Sequence, residues 1–138
     1  VFSMPAENGH IIQDYTMDSL VFNVTLNQFQ VKRGISFGGP TDANVYAVYD
    51  GVVESVTYDA LKGHVVVIRH SDEIVTSYGS LKEAPTLKAG DTIKKGDVIG
   101  KIGVSATAEF KEGPHVNFKV YQNGNIVNPH DFFPEGDK

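Results

Sequence analysis

The residues of this chain best placed to do chemistry together are His115 and Asn117, in the stretch Gly113-Pro114-His115-Val116-Asn117-Phe118-Lys119-Val120. Apolar and polar positions alternate there, the period of a half-buried β-strand. Val116, Phe118 and Val120 point to a core; His115, Asn117 and Lys119 point the other way. An imidazole and a carboxamide, two residues apart, therefore share one face. A second imidazole at 117 would suit a metal site or an acid/base pair. The carboxamide breaks both patterns. The other histidines are His10, His64, His70 and His130, and no two of them share a short ligand spacing. Cysteine is absent, which excludes disulfides, thiolate metal sites and cysteine nucleophiles.

The elements that must position these residues are strands. Met4 to Gly9 reads as a turn, and Ile11-Ile12 with Asp14-Tyr15 as a short strand, in an irregular lead-in. Asp18 to Phe22 fits either a helical turn or a strand. Lys32 to Phe37 reads as a strand entering a Gly38-Gly39-Pro40-Thr41 turn. Val45 to Val48 and Val52 to Val56 flank Asp50-Gly51, which predicts a hairpin. Leu61-Lys62-Gly63 is a turn; Val65 to Ile68 predicts a buried strand and Glu73 to Tyr78 another. Leu87 to Ile93 is echoed by Ile93 to Gly100, each copy placing Gly-Asp before β-formers. Ala106 to Lys111 reads as a loop or a helical turn. Asn123-Gly124 predicts a second hairpin, and Ile126 to Pro129 a last short strand before a polar tail. No segment carries a helical period, so an all-β sandwich or barrel is expected.

Composition sets outer bounds. A chain of 138 residues supports one domain with a real core. Its 41% hydrophobic and 21% charged residues are ordinary for a globular domain. The formal net charge of −5 speaks against nucleic acid as a partner. No apolar run is long enough to span a membrane. The sequence starts Val1-Phe2-Ser3 without an initiator methionine or signal peptide, so a longer parent with an upstream anchoring segment is expected. The lack of cysteine permits an extracytoplasmic, oxidising location. Asn23-Val24-Thr25 matches a glycosylation sequon, a short and common pattern.

The order of the pieces resembles the M23 (LytM, or lysostaphin-type) metallopeptidase family. The likeness rests on Gly34-Ile35-Ser36-Phe37, on Val45 to Gly51, on Gly63 to His70 and on Thr76 to Leu81. The repeated Gly-Asp pair, Gly113 to Phe118, and Val127-Asn128-Pro129 complete it. It covers roughly residues 28 to 133 in one continuous order, far more than a single motif. The lead-in, Gly9 to Tyr15 through Thr25-Leu26-Asn27, looks like that of sporulation and cell-envelope members from Firmicutes. The resemblance implies an all-β LytM-like sandwich of two antiparallel sheets, with a groove over one sheet. It divides the chain into a packed lead-in (1–27), the domain (28–133) and a tail (134–138).

An active member of this family carries His-x-x-x-Asp on one strand, a histidine in Tyr-Ala-His-Leu, and His-x-His on a later strand. The first histidine, the aspartate and the last histidine hold zinc, and the other two histidines assist the attacking water. Zinc acidifies that water and polarises the scissile carbonyl of a peptide link in bacterial peptidoglycan. Here the first ligand position holds Lys32 and the aspartate position Ser36. Ser80 replaces the Tyr-Ala-His-Leu histidine, and Asn117 the last ligand. Only His115, a helper, survives. An ammonium sits where a divalent cation would, and serine and asparagine are poor zinc ligands beside imidazole and carboxylate. No zinc or other cofactor, no catalytic residue and no hydrolysis are expected; Lys32, Ser36, Ser80, His115 and Asn117 are vestigial.

The resemblance then implies a scaffold that binds a partner protein in the cell envelope. Such a module would be extracytoplasmic and would meet the membrane only through a segment outside this sequence. Two alternatives are a zinc endopeptidase with an atypical ligand set and a passive peptidoglycan-binding module. Ser80 with His115 as nucleophile and base would need a third group and an oxyanion hole, and no motif supplies either. Lys32 either binds an anion or fills the vacated metal space against Ser36 and Asn117. Lys88, Lys94, Lys95 and Lys101 read as a solvated face. Tyr46, Tyr49, Tyr58 and Tyr78 either line a groove or sit half-buried in sheets. His64 and His70 read as surface or supporting groups. A lipoyl- or biotinyl-carrier reading of the Gly-Asp pair lacks the Met-flanked lysine, since Met4 and Met17 stand elsewhere.

Overall fold

The computed structural model describes residues 2–7, 9–15, 21–23, 28–30, 33–40, 42–83, 85–106 and 113–133. Among them run twelve strands: β1 (His10–Gln13), β2 (Val21–Asn23), β3 (Gln28–Gln30), β4 (Ile35–Gly38), β5 (Asn44–Tyr46), β6 (Gly51–Asp59), β7 (Gly63–Arg69), β8 (Ile74–Leu81), β9 (Thr92–Ile93), β10 (Val98–Lys101), β11 (His115–Gln122) and β12 (Asn125–Val127). One turn of 3-10 helix, Pro129–Phe132, follows with Asn128 as its cap.

The large sheet has the order β1-β4-β11-β8-β7-β6-β9, and β12 also pairs with β11. Because β8 occupies one side of Asn117 to Gln122, β12 extends the β4 side beyond Phe118. All pairings are antiparallel. β5 and β10 form a small second sheet, and β2 pairs with β3. The all-β, two-sheet expectation is met.

Alternation decides which face of the large sheet is buried. Ile35 and Phe37 of β4, Val116, Phe118 and Val120 of β11, Tyr78 of β8, and Val66 and Ile68 of β7 form one core with Val45 and Ile99 of the small sheet. The lead-in closes this core at one end. Phe2 is buried, its N–H donates to Phe132 O at 2.8 Å, and its ring stacks on Phe132 at 5.1 Å.

The Asn123-Gly124 turn joins β11 to β12 as expected, with Gln122 opposite Asn125. The two Gly-Asp copies build the same turn twice. Asp91 and Asp97 donate their N–H to Lys88 O and Lys94 O, and their carboxylates accept the N–H of the same lysines at 3.0 and 2.9 Å.

Asp50-Gly51, by contrast, closes no hairpin. β5 pairs with β10, while β6 pairs with β7 and β9, so this dipeptide marks a change of sheet. Its glycine meets a different need: a Cβ at Gly51 would lie 2.6 Å from Arg69 O on the neighbouring strand. Of the lead-in stretch 18–22, Val21 and Phe22 lie in β2 and 18–20 lie outside the described residues. Lys32, positions 107–111 of the Ala106–Lys111 stretch and the tail 134–138 also lie outside them.

Candidate functional site

Ser36 of β4 sits directly opposite Asn117 of β11, and His115 opposite Gly38. On its other side, Asn117 faces Gly79 of β8. The pleat thus puts Ser36, His115 and Asn117 on the sheet face away from Phe37, Val116 and Phe118.

Ser80 arrives by a bulge. His64 pairs with Leu81 and Val66 with Tyr78, so Gly79 and Ser80 together oppose Val65 alone. The extra residue takes a left-handed backbone, φ 63° at Ser80, and its N–H donates to Lys62 O at 2.9 Å. Gly103 O then accepts both Ser80 Oγ–H at 3.2 Å and His115 N–H at 3.0 Å. Four of the five expected positions therefore gather along the β4–β11–β8 seam, and Lys32 lies outside the described residues.

Ser80 and His115 bond to backbone carbonyls of the fold. Ser36, Ser80 and His115 are completely buried. His115 Nδ1 lies 2.7 Å from Gly113 O; a carbonyl only accepts, so Nδ1 carries the proton. The Ser80 hydroxyl donates to the Gly103 carbonyl, which is not the bond to an imidazole that a Ser80–His115 nucleophile and base would make. Ser36 Oγ is buried with no hydrogen-bond partner among the described residues.

Zinc in this fold family needs two imidazoles and a carboxylate converging on one point. The described donors at those places are the Ser36 hydroxyl and the Asn117 carboxamide. They are neutral, weak ligands for a divalent cation. Among the described residues no group of three His, Asp or Glu side chains is placed to hold a metal. The described residues at these positions do not fit zinc.

The same sheet face carries a groove of about 410 Å³ across β6, β7, β8 and β11. Val65 and Val67 form part of its floor, with Tyr58, Lys119 and Tyr121 along it and Asn117 at its edge. Of the four tyrosines considered from the sequence, Tyr58 lines this groove, whereas Tyr78 is completely buried in the core. Lys119 was legible as an outward position of β11, and Tyr121 continues that alternation; the run Val65 to Ile68 reads as buried throughout, so Val65 and Val67 were not legible as groove residues. Nothing local in the sequence says that these two strands flank β8.

Comparison with known proteins adds the following. Residues 30–129 match the family described as Peptidase family M23. Stage II sporulation protein Q of Bacillus subtilis is 33% identical over 108 residues, covering 77% of this chain and 38% of that protein. Peptidoglycan DD-endopeptidase ShyC of Vibrio cholerae is 33% identical over 102 residues, covering 74% of this chain and 23% of that protein. A chain in the crystal structure of the SpoIIIAH and SpoIIQ complex superposes with a TM-score of 0.83 at 28% identity, covering 96% of this chain and 100% of that one. The chain thus spans about a fifth to two fifths of the curated relatives it matches.

Proposed function

The chain belongs to peptidase family M23, and we propose that it is a non-catalytic member that holds no zinc and binds a partner protein in the bacterial cell envelope. The observation that carries this reading is the pair Ser36 and Asn117, a hydroxyl and a carboxamide opposed across β4 and β11 where active members oppose a carboxylate and an imidazole. Replacing one ligand lowers metal affinity; replacing all three, with a positive charge at Lys32, removes the Lewis acid on which the family's hydrolysis depends. What persists is the fold, so function passes to surfaces.

The partner reading draws on the likeness to a chain of the SpoIIIAH and SpoIIQ complex across 96% of this sequence. We place the domain outside the cytoplasm, as a SpoIIQ-like module that joins a second envelope protein. Mixed with the SpoIIIAH-like protein of its own source, the purified domain should co-elute as a complex and give a saturable titration. Separate elution with no heat of binding would remove the partner reading.

A further inference from the structure

A chain of hydrogen bonds runs from the end of β7 into the core and returns to the link between the two sheets. His70 Nδ1 lies 2.8 Å from Asp50 O, and His70 Nε2 lies 2.7 Å from Thr76 Oγ1. Thr76 Oγ1 is 2.8 Å from the Tyr78 hydroxyl, which accepts Val48 N–H at 3.3 Å. Thr76 and Tyr78 are completely buried. Val48 and Asp50 bracket the segment that carries the chain from β5 to β6, so this clasp fixes the crossing at both ends.

The proton order in the chain follows from its two fixed ends. Asp50 O can only accept, so His70 Nδ1 must donate. Val48 N–H can only donate, so the Tyr78 oxygen must accept. With His70 neutral, Nε2 accepts from Thr76 Oγ1–H, and Thr76 Oγ1 accepts from Tyr78 O–H. Every donor then has an acceptor. With His70 protonated, Nε2–H donates to Thr76, and the Thr76 proton turns to the Tyr78 oxygen. The Tyr78 O–H is then left without an acceptor in a site closed to water, a state that buried polar groups avoid.

We propose that the His70–Thr76–Tyr78 chain is an acid-sensitive clasp on the 48–50 link, closed only while the His70 imidazole is neutral. The groups facing His70 agree with this. From the lead-in comes the Phe2 ring at 5.7 Å, and from the link the Tyr49 ring at 6.3 Å. Among the described residues the acidic group acting on it is Asp50, whose carboxylate already accepts Lys95 N–H at 2.8 Å. The Lys95 ammonium sits over Tyr49 at 5.7 Å. Burial wins over the attraction of Asp50 and holds the imidazole below its ordinary value of 6.5.

The sign follows. Folded His70 binds its proton less readily than unfolded His70, so the unfolded chain takes up more protons as pH falls below 6.5. The clasp's contribution is complete above that value and is lost as pH drops toward the folded pKa. Opening it should also loosen the lead-in, because Ser3 N–H donates to Val48 O at 3.0 Å and Phe2 packs on His70.

Nitrogen-15 NMR on the whole chain tests the proton order, and amide hydrogen exchange at pH 7.5 and 5.5 tests the opening. Neutral His70 should carry its proton on Nδ1 and titrate below the ordinary imidazole range. After correction for intrinsic rates, the Val48 and Ser3 amides should lose protection severalfold at the lower pH. The Ile102 and His115 amides, bonded to Ala43 O and Gly103 O, should keep theirs. His70→Gln, which bonds without titrating, should abolish the difference; if that variant fails to fold, the wild-type measurements decide. A neutral His70 protonated on Nε2, a pKa at or above the ordinary range, or pH-independent exchange at Val48 and Ser3 would each overturn the proposal.

Discussion

Phe118→Ala should destabilise the domain by about 3–5 kcal/mol, the usual cost of emptying an aromatic site in a packed core. Phe118 is completely buried, and its ring meets four others. Tyr78 lies at 5.4 Å, Phe133 at 5.8 Å, Phe37 at 6.3 Å and Phe2 at 6.4 Å. Those partners come from β8, the C-terminal segment, β4 and the lead-in, so one truncation opens a void where four separate parts of the chain meet. Collapse around the void is hindered because β11 is pinned between β4 and β8. Thermal melting should fall by roughly 10–20 °C. Phe118→Leu, which keeps most of the volume, should cost far less. A loss under about 1 kcal/mol for the alanine variant would contradict the packing.

Gly63→Ala should cost about 2–4 kcal/mol, because strain and overpacking act together. Gly63 has φ 76°, and a Cβ there would lie 2.1 Å from Ser105 Oγ and 2.7 Å from Ala106 N. Ser105 cannot swing away freely, since Oγ accepts His64 N–H at 3.1 Å and donates to Leu81 O. Those bonds steady the bulge that holds Ser80. Gly90 is the control: its φ is 96°, but nothing lies within 4 Å of an added Cβ. Gly90→Ala should therefore show only the backbone cost, about 1–2 kcal/mol. Equal denaturation midpoints for the two variants would mean that the 63–105 contact is not close.

These two positions show what the sequence made legible. The alternation from Val116 to Val120 fixes which side of β11 enters the core, because one local period decides it. Asn123-Gly124 and the paired Gly-Asp turns are legible for the same reason: their hydrogen bonds close within four residues. Asp50-Gly51 misleads because the glycine answers a non-local demand, the approach of Arg69 O, in residues that also suit a turn. The bulge at Ser80 is hidden too. Serine has no preference for a left-handed backbone, and the second residue is admitted by the register of β7 against β8.

The site divides in the same way. That Ser36, Ser80, His115 and Asn117 belong together came from the family pattern, not from any spacing among them. That Ser36 and Asn117 stand opposite each other, and that Gly103 O gathers Ser80 and His115, required the sheet order. The clasp was invisible for a related reason. His70, Thr76 and Tyr78 are close in sequence, yet the chain they form begins and ends on Asp50 and Val48, across the crossing between sheets.

The proposal that this domain holds no zinc and does no hydrolysis is tested most directly by one pair of readings on the purified domain. After exposure to zinc and desalting, it should retain far less than one zinc per chain, and it should release no soluble fragments from purified peptidoglycan. Zinc at one ion per chain, with fragment release that a chelator stops and Ser36→Ala removes, would contradict the account.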